Sequence, residues 1–369
     1  ALRGRYEFEA NLNLINENIK YKVVLITGAG GSIGSEISRQ SVKNGASKII
    51  LLDSNEYALY SIKNEIETYS EKPAVFSILA SVNNKKRIME VCNAFGVDTI
   101  YHAAAYKHVP LVEENPFEAV QNNIFGTMSC AQAAIESNVD TFVLVSTDKA
   151  VRPTNIMGAT KRFAELILQS LAIDCKTRMT MVRFGNVIGS SGSAIPLFQQ
   201  QIKNGGPVTV THKEVTRYFM SIPEAAQLVI QAGAMGQGGD VFVLDMGEPV
   251  EIYELAKRLI NLSGMEVKDE KNPNGDIEIV FTGLRPGEKL YEELLIGDNV
   301  SETDHKQILR AEEISISSVE LEEHLESLKK AEENGDVSML IDILKKVVSG
   351  FSPEESVIDI VHQQNLTKN

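Results

Sequence analysis

The chain has 369 residues, of which 43% are hydrophobic and 23% charged, as in an ordinary globular protein with room for a full core. Its formal net charge of −14 argues against nucleic acid as a partner, because contacts to phosphates need a basic surface. The three cysteines form no C-x-x-C pair, and the six histidines show no metal-ligand spacing. We therefore expect reduced thiols, a cytosolic setting and no metal site.

The N-terminal segment, residues 1–20, has weak periodicity and is predicted to form an arm. The chain begins with Ala1 and not with methionine, so we expect it to have been cut from a longer protein. No apolar run approaches the ~20 residues that cross a bilayer. This fragment is therefore expected to be cytoplasmic, with membrane contact only through a missing N-terminal region.

Short apolar runs alternate with amphipathic stretches across residues 21–185, which predicts a parallel sheet covered on both faces by helices. The strand-like runs are residues 22–27, 48–53, 74–79, 98–101, 141–146 and 179–184. The helical stretches lie near residues 33–43, 56–69, 84–94, 115–137 and 157–173. Because crossovers between parallel strands are right-handed, we predict an α/β fold with a doubly wound, Rossmann-type sheet.

The alternation changes after residue 185, where Gly- and Ser-rich turns interrupt it. We predict that residues 186–214 and 246–305 form a smaller C-terminal substrate-binding lobe. Residues 215–245 are expected to return to the Rossmann domain. Residues 306–369 contain acidic amphipathic stretches and are predicted to form a helical extension packed on the body.

The first strand is followed by a glycine-rich loop with glycines at 28, 31 and 34, a G-x-x-G-x-x-G pattern. Such glycines let the backbone turn tightly and approach a pyrophosphate at a helix N-terminus. Asp53 ends the next strand 19 residues after Gly34, near the position of a carboxylate that binds the adenine ribose. No arginine follows Asp53 to hold a 2′-phosphate, so NAD is favoured over NADP.

The fourth strand leads into His102, three alanines, and then Lys107 and His108. Three small residues let the backbone lie close to a cofactor. Lys107 and His108 follow the carboxyl end of a strand, where ligands bind in this kind of sheet. His102 is interpreted equally well as a core histidine or as a functional group.

The run from Ser146 to Lys161 has a methionine where a sugar-modifying short-chain dehydrogenase would have its catalytic tyrosine. The pattern Tyr-x-x-x-Lys becomes Met157-x-x-x-Lys161, and a thioether has no proton to exchange. Either the site is inactive, or the acid–base chemistry belongs to Thr147, Asp148 and Lys149 just upstream.

Six stretches in this order resemble the NAD-dependent UDP-N-acetylglucosamine 4,6-dehydratases of bacterial polysaccharide and glycan biosynthesis, which are extended short-chain dehydrogenases. They begin at Thr27 (TGAGGSIGSE), His102 (HAAAYKHVPLVEENP), Ser146 (STDKAVRPTNIMGATKR), Arg183 (RFGNVIGSSGSAIPLF), Thr216 (TRYFMSIPEA) and Gly283 (GLRPGEKLYEEL). In the larger branch of this family the methionine is typical, and members carry an N-terminal membrane region. The resemblance thus implies that residues 1–20 join such a region to the catalytic domain, with the natural protein anchored at the cytoplasmic face of the inner membrane.

The implied reaction converts UDP-N-acetylglucosamine to UDP-2-acetamido-2,6-dideoxy-4-keto-hexose by C4 oxidation, loss of water across C5–C6 and C6 reduction with bound NAD. Retention of configuration at C5 is expected. The implied catalytic residues are Thr147, Asp148, Lys149, Met157 and Lys161. Lys149 would act as the base and Asp148 as the acid, so burial should lower the pKa of the lysine and raise that of the aspartate. Because an ion pair would oppose these shifts, we expect the two groups to face different sides of the sugar. The group that takes the O4 proton is left open.

The resemblance also implies which residues bind NAD and the UDP-sugar. It further implies a homo-oligomer whose interface is formed by the helices near 115–137 and 157–173. The residues expected to bind NAD are Gly28, Gly31, Ser32, Ile33, Gly34, Asp53, Ser54, Ser81, Val82, Ala103, Ala104, Ala105, Lys107, Asn122 and Lys161. Those expected to bind the UDP-sugar are Lys107, His108, Asn186, Ser193, Arg217, Arg285 and Glu288. Two alternatives are a UDP-sugar 4-epimerase, which needs no acid–base pair at C5–C6, and a non-catalytic NAD-binding sensor or scaffold.

Overall fold

The structure is a computed structural model that describes residues 10–293, 300–353 and 359–366. Its α-helices are α1 (Leu12–Ile19), α2 (Ser32–Lys43), α3 (Glu56–Glu67), α4 (Lys85–Phe95), α5 (Val109–Glu114), α6 (Pro116–Ala119), α7 (Gly126–Glu136), α8 (Ile156–Ala172), α9 (Ala194–Lys203), α10 (Ile222–Met235), α11 (Ile252–Leu262), α12 (Ser318–Glu333), α13 (Val337–Val347) and α14 (Ile360–Leu366). Its strands are β1 (Val23–Thr27), β2 (Lys48–Asp53), β3 (Ala74–Leu79), β4 (Thr99–His102), β5 (Thr141–Val145), β6 (Arg178–Arg183), β7 (Asn186–Val187), β8 (Val208–Val210), β9 (Thr216–Arg217), β10 (Phe219–Met220), β11 (Asp240–Leu244), β12 (Val250–Glu251), β13 (Val267–Lys268), β14 (Ile277–Phe281), β15 (Val300–Glu302) and β16 (Ile308–Ala311). A π-helical turn, Val120–Phe125, links α6 to α7, and a 3₁₀ turn, Asp148–Ala150, follows β5.

The main sheet contains nine strands within the described residues, in the order β15-β16-β11-β6-β5-β4-β1-β2-β3. The strands from β3 to β6 have the spatial order 3-2-1-4-5-6 and run parallel, which is the doubly wound arrangement. The predicted fold class is therefore confirmed. The strand order reverses between β1 and β4, so a crevice opens at the carboxyl ends of these strands.

Both faces of the main sheet are covered by helices, which explains why its central strands are apolar without alternation. Every residue of β1 is buried. One face packs against α1, α2, α3 and α10, through residues that include Ile37, Leu59 and Val229. The other face packs against α4, α7 and α8, through residues that include Ile88 and Leu168.

The N-terminal segment differs from the predicted arm in its last turns. Leu12–Ile19 form a helix, capped by the Asn11 side chain, which accepts the N–H groups of Asn13 and Leu14. Ile15 and Ile19 are buried in the core that α10 also lines. These residues are thus an integral part of the packing, and residues 1–9 lie outside the described part of the chain. No helix among the described residues combines the length and apolarity needed to cross a membrane.

The smaller lobe is built on a parallel sheet of β13, β14 and β8, with α9 and α11 packed on it through residues such as Phe198 and Leu255. The chain returns from this lobe to the main sheet, where β11 pairs parallel to β6. β16 then pairs antiparallel to β11. The segment predicted as a helical extension from residue 306 therefore begins with a strand of the main sheet.

The C-terminal helices α12 and α13 pack on α8 and cover it. Residues 156–170 of α8 are all buried, and Phe163 and Ile167 share a core with Leu328 and Leu344 of the two C-terminal helices. The surface that the family resemblance assigns to an oligomer interface on α8 is therefore occupied by the chain's own helices. α12 begins with a capping box between Ser317 and Glu320, which fixes its start.

Candidate active site

The glycine-rich loop between β1 and α2 is packed so tightly that no side chain fits at Gly28 or Gly34. Gly28 has a φ of 65°, and a Cβ there would lie 2.7 Å from the Ala104 nitrogen. A Cβ at Gly34 would lie 2.1 Å from the carbonyl oxygen of Gly28. α2 begins with Gly31 as its N-cap and without a side-chain cap, so its first N–H groups are available to an anion. A close-packed glycine loop with free N–H groups at a helix N-terminus is a cradle that could hold a pyrophosphate.

Asp53 is held beside this loop by two backbone groups. Its Oδ2 accepts the N–H of Gly30 and its Oδ1 that of Asn55, both at 2.9 Å. Asp53 lines a cavity of about 840 Å³, here called the glycine-loop cavity. The predicted cofactor residues that line it are Gly28, Gly31, Asp53, Ser54, Val82, Ala103, Ala104, Ala105, Lys107 and Asn122. Ser81 lines neither this cavity nor the one described next, and its hydroxyl accepts the N–H of Asn83 at 3.2 Å.

A second cavity of about 460 Å³, here called the central cavity, lies between the carboxyl ends of β4 and β5 and the smaller lobe. Of the predicted residues, it shares Gly31, Ala103, Ala105, Lys107 and His108 with the glycine-loop cavity. The other predicted residues that line it are Ser32, Ile33, Gly34, Thr147, Lys149, Met157, Lys161, Asn186, Ser193, Arg217, Arg285 and Glu288. The structure thus brings the predicted cofactor and substrate residues to two adjoining cavities, and only Ser81 and Asp148 line neither.

Asp148 lies behind the wall of the central cavity. Its side chain is 1% exposed, and its Oδ1 accepts the Thr147 hydroxyl at 3.0 Å and the Lys149 Nζ at 3.1 Å. Within the described residues Oδ2 has no hydrogen-bond partner. A Cβ on Gly185 would lie 3.0 Å from this oxygen, so the glycine leaves the space that the carboxyl group occupies. Asp148 therefore reaches the cavity only through Thr147 and Lys149.

The charge of Lys149 differs from the sequence-based expectation. Burial raises the pKa of Asp148, as predicted. Burial alone would lower the pKa of Lys149, but Asp148 and Glu292 outweigh it, and this pKa is raised. The prediction of a lowered lysine pKa is wrong, and so is the expectation that the two groups face different sides of the sugar. The two side chains lie against each other, with Lys149 Nζ 3.1 Å from Asp148 Oδ1.

Met157 and Lys161 lie on the first turns of α8. Asn155 caps this helix by accepting the N–H of Gly158 at 2.8 Å, and a Cβ on Gly158 would lie 2.1 Å from the Lys149 carbonyl oxygen. The helix is therefore pressed against the turn that carries Lys149. Lys161 Nζ donates to the Val145 carbonyl at 2.7 Å, and burial lowers the pKa of Lys161 to about 8. Met157 contributes an apolar wall to the cavity.

Two buried polar residues support the wall of the site. His102 is a core histidine, since its ring nitrogens contact the hydroxyls of Thr27 at 2.7 Å and Thr127 at 3.0 Å. Burial lowers the pKa of His102 to about 3, so its ring is neutral. Asn123, which sequence reasoning missed, exchanges two hydrogen bonds with the backbone of Tyr106 and donates to Thr160. These hydrogen bonds fix the loop that contains Lys107 and His108. Asn123 lies in the π-helical turn, which sequence periodicity does not reveal.

Arg217, Glu288 and Glu292 form a charged cluster in the wall of the central cavity. Arg217 donates to Glu288 Oε1 at 2.9 Å, and its Nε lies 3.8 Å from Glu292 Oε1. The same Glu292 oxygen lies 3.4 Å from Lys149 Nζ. Sequence reasoning missed Glu292, because nothing in the pair Glu292-Glu293 tells which carboxylate faces inward. Among the described residues, no group of His, Cys, Asp or Glu side chains is arranged to hold a metal ion.

Glu113 lies at the N-terminus of α8. Its carboxyl group is expected to make the stability of the protein depend on pH. Its Oε1 accepts the N–H of Ile156 at 2.6 Å, and burial raises its pKa from 4.5 to about 7. The fold therefore favours the protonated form, so this contribution to stability is complete below pH 4.5 and is lost as the pH rises towards 7. Relative to Glu113→Gln, the wild-type protein should lose up to about 3 kcal/mol over this window.

Urea unfolding of both proteins at several pH values would measure this loss. The other titrating groups are common to both proteins, so their effects cancel in the difference. A difference that does not change with pH would contradict the assignment to Glu113.

The comparisons with known proteins agree with this architecture. Residues 24–313 match the family model described as polysaccharide biosynthesis protein. The chain is 58% identical over 296 residues to the capsular polysaccharide biosynthesis protein CapD of Staphylococcus aureus, with 80% of this chain and 48% of that protein aligned, so it spans about half the length of that relative. It is 35% identical to a UDP-glucose 4-epimerase of Rickettsia conorii, over 77% of this chain and 80% of that protein.

A solved structure shows the same fold. It is a double mutant of a dTDP-glucose 4,6-dehydratase from Streptomyces venezuelae with NAD bound, 20% identical, with a TM-score of 0.66 over 84% of this chain and 97% of that chain. The match to the family model covers the Rossmann domain, both cavities and β16. The chain therefore belongs to the polysaccharide biosynthesis protein family and has the extended short-chain dehydrogenase/reductase fold.

Proposed function

We propose that this chain is an NAD-dependent UDP-N-acetylglucosamine 4,6-dehydratase that retains the configuration at C5. The observation that carries the proposal is the contact of Lys149 Nζ with Asp148 Oδ1 at 3.1 Å, beside a cavity that adjoins the glycine-rich loop. Oxidation and reduction at C4 need one group that exchanges the O4 proton. A dehydratase needs in addition a base for the C5 proton and an acid for the departing C6 hydroxyl.

The glycine-loop cavity fits NAD. The cradle at Gly28 and Gly34 would receive the pyrophosphate, and the fixed carboxylate of Asp53 would bind the adenine ribose and repel a 2′-phosphate. Lys161 has its Nζ at the end of β5 and would bind the nicotinamide ribose. When bound, NAD supplies oxidation at C4 and reduction at C6, and it is regenerated in each cycle.

The proton chemistry belongs to the chain's own side chains. Lys149 must be neutral to remove the C5 proton, and an acid must protonate the departing C6 hydroxyl. Transfer of one proton from Lys149 Nζ to Asp148 Oδ1, across their 3.1 Å contact, converts the resting ion pair into a neutral base and a neutral acid. Asp148 then delivers its proton through Thr147, whose hydroxyl lines the cavity and contacts the same carboxylate.

Met157 supports this assignment because it removes a competing proton donor. The Met157 side chain is 3% exposed and presents an apolar surface at the position where a catalytic tyrosine would exchange its phenolic proton. The O4 proton would then be taken by the Thr147–Asp148 pair or by Lys149, whose side chains can exchange protons.

The nucleotide is expected at the end of the cavity formed by the smaller lobe. Arg217 and Arg285 line it and bring positive charge to an acidic protein, as binding of a diphosphate requires. Asn186, Ser193 and Glu288 line the same region and offer hydrogen-bonding groups for the sugar and ribose. Assembly into a homo-oligomer stays a prediction, and its interface would have to lie outside the covered face of α8.

The second candidate is a UDP-sugar 4-epimerase, which the similarity to the Rickettsia conorii protein favours. Incubation with UDP-N-acetylglucosamine in D₂O, followed by NMR of the sugar, tests both candidates. We expect a 4-keto-6-deoxy product with deuterium at C5, because the base exchanges the C5 proton with solvent before C5 is reprotonated. UDP-N-acetylgalactosamine as the product would show an epimerase, and NAD binding without turnover would contradict both enzymes.

A further inference from the structure

Lys149 is surrounded by charged groups from three parts of the chain. Asp148 on its own turn contacts Nζ at 3.1 Å, and Glu292 from the smaller lobe lies at 3.4 Å. The two carboxylates raise the affinity of Lys149 for its proton, whereas the positive charge of Arg217 in β9 lowers it. Asn186 completes the surroundings with a neutral oxygen at 3.2 Å.

Glu292 lies between two cations that line the central cavity. Its side chain is 4% exposed, and a single oxygen, Oε1, lies near both Lys149 Nζ and Arg217 Nε. It also lines the central cavity, whereas Asp148 does not. A buried carboxylate without cations would be unstable, so the two cations and Glu292 depend on one another for their positions.

We infer that Glu292 is a positioning residue for the proposed dehydration, an inference that rests on the proposed function: its carboxylate holds Lys149 at the sugar and joins it to Arg217 at the diphosphate. The length of the Glu292 side chain fixes how far Nζ extends from the turn after β5. Its negative charge favours the ammonium form of Lys149. A variant that loses this charge should therefore release the proton of Lys149 at a lower pH.

The sign of this change does not depend on whether Lys149 serves as base or acid. If Lys149 must be neutral, removal of the Glu292 charge moves the acidic limb of the kcat/KM profile to lower pH. If Lys149 must be charged, the alkaline limb moves to lower pH. A residue with a merely structural role would lower the rate at all pH values and leave both limbs in place.

The test compares the pH profiles of the wild-type protein, Glu292→Gln, Glu292→Asp and Glu293→Gln, with UDP-N-acetylglucosamine as the substrate. Glu293→Gln is the matched control, because the Glu293 side chain is 36% exposed and contacts Arg152 and Lys289, not Lys149. We expect the limb to shift to lower pH in Glu292→Gln alone. Glu292→Asp keeps the charge but shortens the side chain, so it should lower kcat with a smaller shift. An unchanged limb in Glu292→Gln, or the same shift in Glu293→Gln, would overturn the inference.

A second measurement separates failure of this inference from failure of the proposed function. NMR titration of ¹³C-labelled lysine side chains, with the Lys149 signal assigned from its absence in Lys149→Met, reports the charge of Lys149 without turnover. We expect the midpoint of this titration to fall in Glu292→Gln and to stay in place in Glu293→Gln. A fall in the midpoint without dehydratase activity would leave the Glu292–Lys149 link standing and reject the function. An unchanged midpoint would reject the link, whatever the activity. If Glu292→Gln does not fold, wild-type kcat and an unchanged profile in Glu292→Asp would overturn the inference.

Discussion

Replacement of Lys149 by methionine is expected to lower kcat for dehydration by about 10²- to 10⁴-fold, the usual contribution of a general acid or base. Methionine has a similar length but no exchangeable proton, so the variant cannot take the C5 proton. NMR of the sugar would measure product formation, and the same spectra would show whether deuterium still enters C5. NAD binding should be retained, because Lys149 does not line the glycine-loop cavity.

Lys149→Arg separates proton transfer from charge. Arginine keeps the cation between Asp148 and Glu292, but it does not lose its proton in proteins. We therefore expect Lys149→Arg to be as inactive as Lys149→Met, and closer to the wild type in thermal stability, since the two buried carboxylates keep a partner. Rates near those of the wild type in Lys149→Arg would show that only the charge is needed and would reject Lys149 as the base.

A matched surface control is Lys85→Met. Lys85 pairs with Glu136 on the outer face of α4 and α7, and its side chain is 35% exposed. Its replacement should change neither kcat nor deuterium incorporation. A comparable loss in this variant would mean that the assay reports damage to the fold and not proton transfer at the site.

The doubly wound sheet was predictable because its signal is local and strong. Apolar runs such as residues 22–27 and 48–53 match β1 and β2, since a strand buried on both faces must be apolar throughout. β16 was not predictable, because a strand of only four residues has too few positions to show a period. The packing of α12 and α13 on α8 is a long-range event, which amphipathic periodicity alone does not specify.

The members of the candidate site were predictable from motifs, but their charges were not. The motif places Asp148 and Lys149 together in sequence, yet it does not say that their side chains touch. The raised pKa of Lys149 depends on Glu292, which is 143 positions away and is brought to the site only by the tertiary fold. Electrostatic sums of this kind need distances, and a linear pattern does not contain them.

The interior of the Rossmann domain contains a buried ionic network whose disruption should strongly destabilise the protein. Arg183 is 1% exposed and binds Glu165 through both carboxylate oxygens, at 2.9 and 2.6 Å. Burial alone would raise the pKa of Glu165, but Arg183 and Arg162 outweigh it and lower this pKa to about 2. Glu313, at the C-terminal end of the family match, contacts both arginines.

We expect Arg183→Met to lower the free energy of unfolding by about 3 to 5 kcal/mol, because it leaves the buried Glu165 carboxylate with half of its hydrogen bonds, those from Arg162 and Ser146. Urea unfolding would measure the loss. Arg87→Met is the matched control, since Arg87 pairs with Glu90 on the surface at 49% exposure and should cost no more than about 1 kcal/mol.

The double variant Arg183→Met with Glu165→Gln identifies the origin of the loss. If the uncompensated charge of Glu165 is the cause, its neutralisation should recover part of the stability, and the two losses should not add. Additive losses would show instead that the packing of each side chain dominates. Ser146 donates to Glu165 Oε1 at 2.6 Å and directly precedes Thr147. The network therefore supports the backbone from which the proposed proton-transfer groups extend. The double variant should recover part of the lost stability but keep a kcat below that of the wild type.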